Sequence, residues 1–266
     1  MLSNLHTHST FCDGKDSVEE IVKEAINKGF DSIGFSGHGH MTIDQSYCMR
    51  ETDKYIAEVK RVKDLYKNEI QVYLGIEEDG YCPVKRNNFE YLIGSFHYIK
   101  NNDIYYPVDH TYEKLKEAIC SFGGNPIKAA ERYYEDFCAY ILNRKPDIIG
   151  HFDLLTKFDE SNEPLFLRNK EYETIAEKYL ASVIGCGSLF EVNTGAISRG
   201  MRKTAYPAEN LLIKLKNEKA PIIITSDCHS KEFLDCKFNE MRDYLKFLGF
   251  THQYCLYNDE FIKVAL

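Results

Sequence analysis

Seven short runs rich in apolar and β-branched residues recur along the chain, with segments of helical period between them, and this alternation restricts the fold more than any other feature. The runs read LSNLHTH from Leu2, DSIGFSG from Asp31, QVYLGIE from Gln71, EYLIGSFHYI from Glu90, PDIIGHF from Pro146, SLFEVN from Ser188 and PIIITSD from Pro221. In the first separator Val18, Ile21, Val22, Ala25 and Ile26 form one apolar stripe. Ser17 three residues before Glu20 predicts a capping box there, and Gly29 a stop. The same period predicts helices over 52–66, 127–143, 172–184, 208–216 and 232–247. Strands joined by crossover helices lie parallel, so the pattern predicts an α/β domain with a parallel sheet, and seven units in 266 residues favour a barrel over an open sheet. No linker or low-complexity tract interrupts the pattern, which predicts a single domain over 1–266.

In such a barrel the carboxyl ends of the strands meet on one face. The histidines collect there: His6 and His8 end the first run, His38 the second, His97 the fourth, His151 the fifth and His229 the seventh, while Glu77 ends the third. The spacing of two in His6/His8, repeated in Asp227/His229, points both side chains of a pair to the same side of a strand. Asp13 returns from the Asp13-Gly14 turn. One strand-end histidine is ordinarily a core or surface residue, but six of nine histidines with three acids on one rim make a metal site. Imidazole and carboxylate without thiolate admit zinc, manganese or iron.

Composition narrows the partners. Lys+Arg number 33 against Asp+Glu 41, a formal charge of −8, which argues against nucleic acid or a membrane surface as partner. The sequence lacks a basic leader followed by an apolar run, and no stretch reaches spanning length. Nine cysteines without a C-x-x-C pair predict reduced thiols rather than a disulfide framework, and a cytoplasmic protein.

The segments HTHSTFCDG, FSGHG, GIEEDG, GSFHYI, IIGHFD, EVNTGAISR and TSDCHS resemble, in order and over nearly the whole chain, the motifs of the polymerase and histidinol phosphatase (PHP) family of metal-dependent phosphoesterases. GHFDLLTKF and EVNTG are most similar to its histidinol-phosphate phosphatases. The resemblance implies a distorted TIM-like (βα)7 barrel and a trinuclear centre of divalent Zn, Mn or Fe. By position, His6, His8, Glu77 and Asp227 would hold one ion. Glu77 would bridge to a second, held also by His97 and His151, and Asp13, His38 and His229 would hold the third. Glu78 competes for the bridge, but Glu77 stands at the family's position two residues after Gly75. The chain departs from the family where many members read Asp-His, since Gly37 precedes His38 here.

Such a site suits hydrolysis of a phosphate monoester. Three carboxylates against three divalent ions leave a charge of roughly +3, enough to draw a phosphate into an acidic protein. A water bridging two ions has its pKa drawn from about 15.7 towards roughly 7, ready for in-line attack on phosphorus. Glu77 and Asp227 are the catalytic carboxylates, and His40, two residues past His38, is expected at phosphate or leaving group. Arg199 and Arg202 are placed to grip phosphate oxygens. For histidinol phosphate, Asp159, Glu160 and Glu163, with Asp109 and Tyr112, are available to the ammonium and imidazole; His110 and His252 read as ordinary surface residues. A nuclease or nucleotide phosphoesterase of the same family is the main alternative, although a polymer substrate would want a basic track. A non-catalytic metal-binding module, or a metal store with closed coordination, is further off.

Overall fold

A computed structural model describes residues 1–266. Eleven strands follow in chain order: β1 (Ser3–Asn4), β2 (Ser32–Phe35), β3 (Gln71–Asp79), β4 (Tyr91–Ser95), β5 (Tyr98–Asn101), β6 (Ile104–Pro107), β7 (Ile148–Ile149), β8 (Leu189–Asn193), β9 (Ile222–Thr225), β10 (His252–Tyr257) and β11 (Glu260–Ala265). The helices are α1 (Val18–Asn27), α2 (Thr52–Leu65), α3 (Tyr112–Ser121), α4 (Pro126–Arg144), α5 (Lys170–Val183), α6 (Gly195–Ser198), α7 (Glu209–Asn217) and α8 (Phe238–Phe247). The main sheet runs β1-β2-β3-β4-β7-β8-β9, parallel at every step. Its edges meet in a parallel bridge between Thr7 and Cys228, where the His8 N–H donates to the Cys228 carbonyl at 2.8 Å and the Cys228 N–H to that of His6 at 3.0 Å. The seven expected strands therefore close into a barrel.

Strand alternation sorts the residues. Val72, Leu74 and Ile76 of β3 face outward, where Val18, Ile21 and Val22 of α1 and Tyr55, Val59 and Val62 of α2 cover them. The alternate positions point inward, and Tyr73 joins Leu5, Tyr91, Ile93, Ile148, Leu189 and Ile223 in filling the barrel. The same alternation separates the adjacent glutamates. Glu77 turns inward, whereas Glu78 turns out to a bidentate pair with Arg144, both contacts 2.7 Å, and accepts from the Tyr140 hydroxyl. The β10–β11 hairpin covers the amino ends of the strands: Leu256 enters the interior cluster and its carbonyl accepts from Ser32 Oγ at 2.8 Å. One end of the barrel is thereby plugged and the histidine-bearing end left open.

The capping box forms as expected at Ser17 and Glu20. Several regions differ from the sequence reading, among them the β10–β11 hairpin, where no strand was expected. The fourth run breaks after Ser95, and Tyr98–Asn101 pairs antiparallel with Ile104–Pro107 over a stretch expected to be loop. The next stretch, to which the sequence reading assigned no element, holds α3, whose buried Leu115, Ala118 and Ile119 carry helical spacing. The helix expected over 232–247 is a single 3-10 turn at Lys231–Phe233 and then α8, because Lys237 adopts a left-handed φ of 59° that a helix cannot continue through. No helix is long and apolar enough to cross a membrane.

Candidate metal centre

All nine expected ligands meet at the open end of the barrel. Glu77 Oε2 lies 2.9 Å from His38 Nδ1, 3.3 Å from His6 Nε2 and 3.6 Å from His8 Nε2. Its Oε1 faces His151 Nε2 at 3.0 Å and His97 Nε2 at 3.5 Å. Asp227 Oδ1 approaches His8 Nε2 at 3.1 Å, and Asp13 Oδ2 approaches His229 Nε2 at 3.2 Å. Four overlapping sets hold their ligand atoms within 4.8 Å: His8/Asp13/His38/His229, His6/His8/Asp227, His6/Glu77/His151 and His38/Glu77/His97. His8 and His38 thus link the Asp13 side to the Glu77 side, a sharing that the sequence alone does not reveal.

The donor set fits divalent cations. His6 Nε2, His8 Nε2 and Glu77 Oε2 are buried and have no hydrogen-bond partner. Each such buried atom costs about 1–3 kcal/mol unless something pairs it, and three that bear lone pairs and face one another call for a cation. The charges agree. Burial opposes ionisation of Glu77, yet His38, His6 and His97 hold its carboxyl well below the usual carboxylate range. Asp227 is held low against burial by Arg199 and then His6. Burial, then the charges of His229 and His38, push His8 down to about 3, leaving a neutral imidazole with a free lone pair.

Local backbone explains the placement. Asp227 has a φ of 45°, a left-handed conformation uncommon outside glycine, which occurs where the chain leaves β9. Beside it a Cβ on Gly195 would lie 2.8 Å from Asp227 Cβ and 2.9 Å from the Ser226 carbonyl. Neither neighbour is a flexible side-chain tip. Gly195→Ala is therefore expected to displace Asp227, destabilise the fold by about 1–3 kcal/mol through overpacking and lower catalytic turnover; thermal melting and kcat would register the two effects.

Two carboxylates behind the ligands were not singled out from the sequence. Glu191, on β8, lies 2.5 Å from His6 Nδ1, and Asp79 lies 3.3 Å from His97 Nδ1 while accepting the His97 N–H at 2.9 Å. Both signals were legible: Glu191 is the one charged residue within SLFEVN, and Asp79 follows Glu77 at the same-face spacing.

A cleft of about 400 Å³ opens over the ligands, its further walls formed by Tyr47, Asp109, His110, Leu154, Lys157 and Arg199. Arg199 donates from Nη2 to Asp227 Oδ2 at 2.9 Å, and its Nε is buried without a partner. Of the other expected substrate contacts, His40, Arg202, Asp159 and Glu160 are not brought to this cleft. His40 is exposed, its Nδ1 3.2 Å from the Met49 carbonyl, because strand alternation ends at Gly39 and the chain turns away. Arg202 is buried over the Tyr206 ring, its Nη1 and Nη2 donating to Thr156 and Thr204 and its Nε 3.3 Å from Glu160 as an ion pair. Glu160 in turn accepts from the Lys203 N–H, and Asp159 accepts the N–H groups of Leu165, Phe166 and Leu167. These residues fasten one rim loop to another. Asp109 does line the cleft, paired with Lys157 at 3.1 Å, as does His110, which the sequence offered no reason to select.

A PHP domain profile matches residues 4–195. A protein of Schizosaccharomyces pombe named "Probable histidinol-phosphatase" is 27% identical over 92% of this chain and 86% of its own length. A histidinol-phosphatase of Bacillus subtilis is 23% identical over 84% of this chain and 92% of its own. Among solved structures, the histidinol phosphate phosphatase of Lactococcus lactis, complexed with zinc, L-histidinol and phosphate, superposes with a TM-score of 0.73 at 19% identity over 98% of each chain, a shared fold.

Proposed function

The chain belongs to the PHP domain family, and on that premise we propose that it is a metal-dependent phosphomonoesterase that hydrolyses L-histidinol phosphate to L-histidinol and phosphate. The observation that carries this reading is the convergence of nine ligands, three of them with unpaired buried atoms that face one another, beneath a cleft walled by Arg199. Curated relatives over most of the chain, named histidinol-phosphatase, support the substrate.

By the family's pattern three divalent ions would be held, one by His6, His8, Glu77 and Asp227, one by Glu77, His97 and His151, and one by Asp13, His38 and His229. The ligand atoms themselves group in four sets that join Glu77 both to His6 and His151 and to His38 and His97. When bound they would supply Lewis acidity, acidifying a water towards neutral pKa and offsetting charge on the phosphoryl group. Glu77 serves two sets because its oxygens face different imidazoles. Asp227 offers Oδ1 to the cluster while Arg199 holds Oδ2 in place. Arg199, the arginine that lines the cleft, is the group we assign to the phosphate oxygens. Across the cleft, Tyr47, Asp109 and His110 present aromatic and acidic surface to the cationic end of the substrate. Nine free cysteines suit a reducing compartment, and we place the enzyme in the cytoplasm.

The test is phosphate release from L-histidinol phosphate, a mononucleotide, a sugar phosphate and an aryl phosphate. We expect kcat/KM for histidinol phosphate to exceed the others by about 10² or more, as a site built for polar groups discriminates. Equal rates on all four would overturn the substrate. Arg199→Ala is expected to lower kcat/KM by about 10², the usual loss when one preorganised charge-stabilising donor is removed; unchanged kcat/KM would remove Arg199 from the site.

A further inference from the structure

We propose that Glu191 is the positioning residue of the metal centre: one buried carboxylate that fixes which nitrogen of His6 faces the ions and where His151 stands. This rests on the metal-centre reading above. Glu191 is 1% exposed at the barrel interior, on β8, a barrel strand that contributes none of the nine ligands. Oε1 lies 2.5 Å from His6 Nδ1 and accepts from Thr225 Oγ1 at 2.6 Å. Oε2 accepts from the His151 backbone N–H at 2.7 Å and from Asn193 Nδ2 at 3.0 Å. Two of these donors belong to ligands, from opposite sides of β8.

A carboxylate with donors on both oxygens is acceptor only. It therefore keeps the proton of His6 on Nδ1 and leaves the Nε2 lone pair facing Glu77 and Asp227, where Nε2 is buried and unpartnered. An amide cannot reproduce this. In Glu191→Gln the oxygen can serve only one end, and the NH₂ group meets donors at the other. If the NH₂ faces His6, it makes Nδ1 an acceptor and puts the ring proton on Nε2, against the ions. If it faces His151, that backbone N–H loses its acceptor. Either arrangement weakens one ligand set.

The experiment is Zn²⁺ binding to chelator-stripped protein by competition with a chromophoric chelator, alongside thermal melting without metal. Glu191→Gln is expected to raise the Zn²⁺ dissociation constant by about 10- to 100-fold, the usual cost of losing such an outer partner. Should that variant not fold, Glu191→Asp, which keeps the charge but withdraws it by one methylene, is expected to weaken Zn²⁺ in the same sense. Thr225→Val removes another hydrogen bond to the same oxygen without touching a ligand, and is expected to bind Zn²⁺ as wild type. Wild-type affinity in the Glu191 variants, or an equal loss in Thr225→Val, would mean a purely structural role and overturn the assignment. A wild-type protein that binds no Zn²⁺ would overturn the metal centre as well.

Discussion

His8→Ala is expected to lower kcat for the phosphate monoester by about 10³ or more, equivalent to about 4 kcal/mol of transition-state stabilisation, while leaving the barrel folded. His8 stands in two of the four ligand sets, His6/His8/Asp227 and His8/Asp13/His38/His229, so removing it opens both. No other side chain replaces it. Its ring stacks on His229 at 4.0 Å and tilts against His38 at 4.4 Å, so both neighbours lose a packing surface as well. The interior that holds the barrel together lies elsewhere, in Leu5, Tyr73, Tyr91, Ile148 and Ile223. Circular dichroism should therefore remain that of the wild type. Turnover within tenfold of wild type, at saturating metal, would contradict the assigned centre.

The difference between what the sequence discloses and what it conceals follows from how each signal is carried. Strand ends were readable because His6, His8, His38, His97, His151 and His229 each close an apolar run, and a parallel barrel brings such ends together without further information. The choice of Glu77 over Glu78 rested on the family's position two residues after Gly75, and strand alternation turns Glu77 inward and Glu78 outward to Arg144. The phosphate side was harder, because it lies on rim loops whose course no periodicity fixes. Arg199 and Arg202 are three residues apart on one loop, yet the first faces the cleft and the second lies buried against Thr156, Thr204 and Glu160. His40 fails for the same reason: a two-residue spacing after His38 has meaning only while the chain remains a strand. Glu191 was legible by alternation, as a lone acid in an apolar strand, and went unselected because its role concerns a ligand rather than the ion.

Exhaustive chelation is expected to abolish turnover and lower the melting temperature without unfolding the protein at ambient temperature. Ions that bind only the folded protein stabilise it by about 2.7 kcal/mol at a hundred times their dissociation constant, and for a chain of this size each kcal/mol shifts melting by roughly 2–4 °C. The expected drop is thus about 5–10 °C for each ion so bound. It is bounded because the stripped centre is partly compensated by its own residues: Arg199 remains 2.9 Å from Asp227, and Glu77 keeps five imidazoles within 3.6 Å. The catalytic loss has no such compensation, since none of these side chains can acidify a water towards neutral pKa. Scanning calorimetry with and without chelator, followed by restoration of activity with Zn²⁺ or Mn²⁺, separates the two effects. Full activity in protein shown to be free of metal would exclude the proposed mechanism, whereas a melting shift without recovery on adding metal would locate the damage in the rim loops.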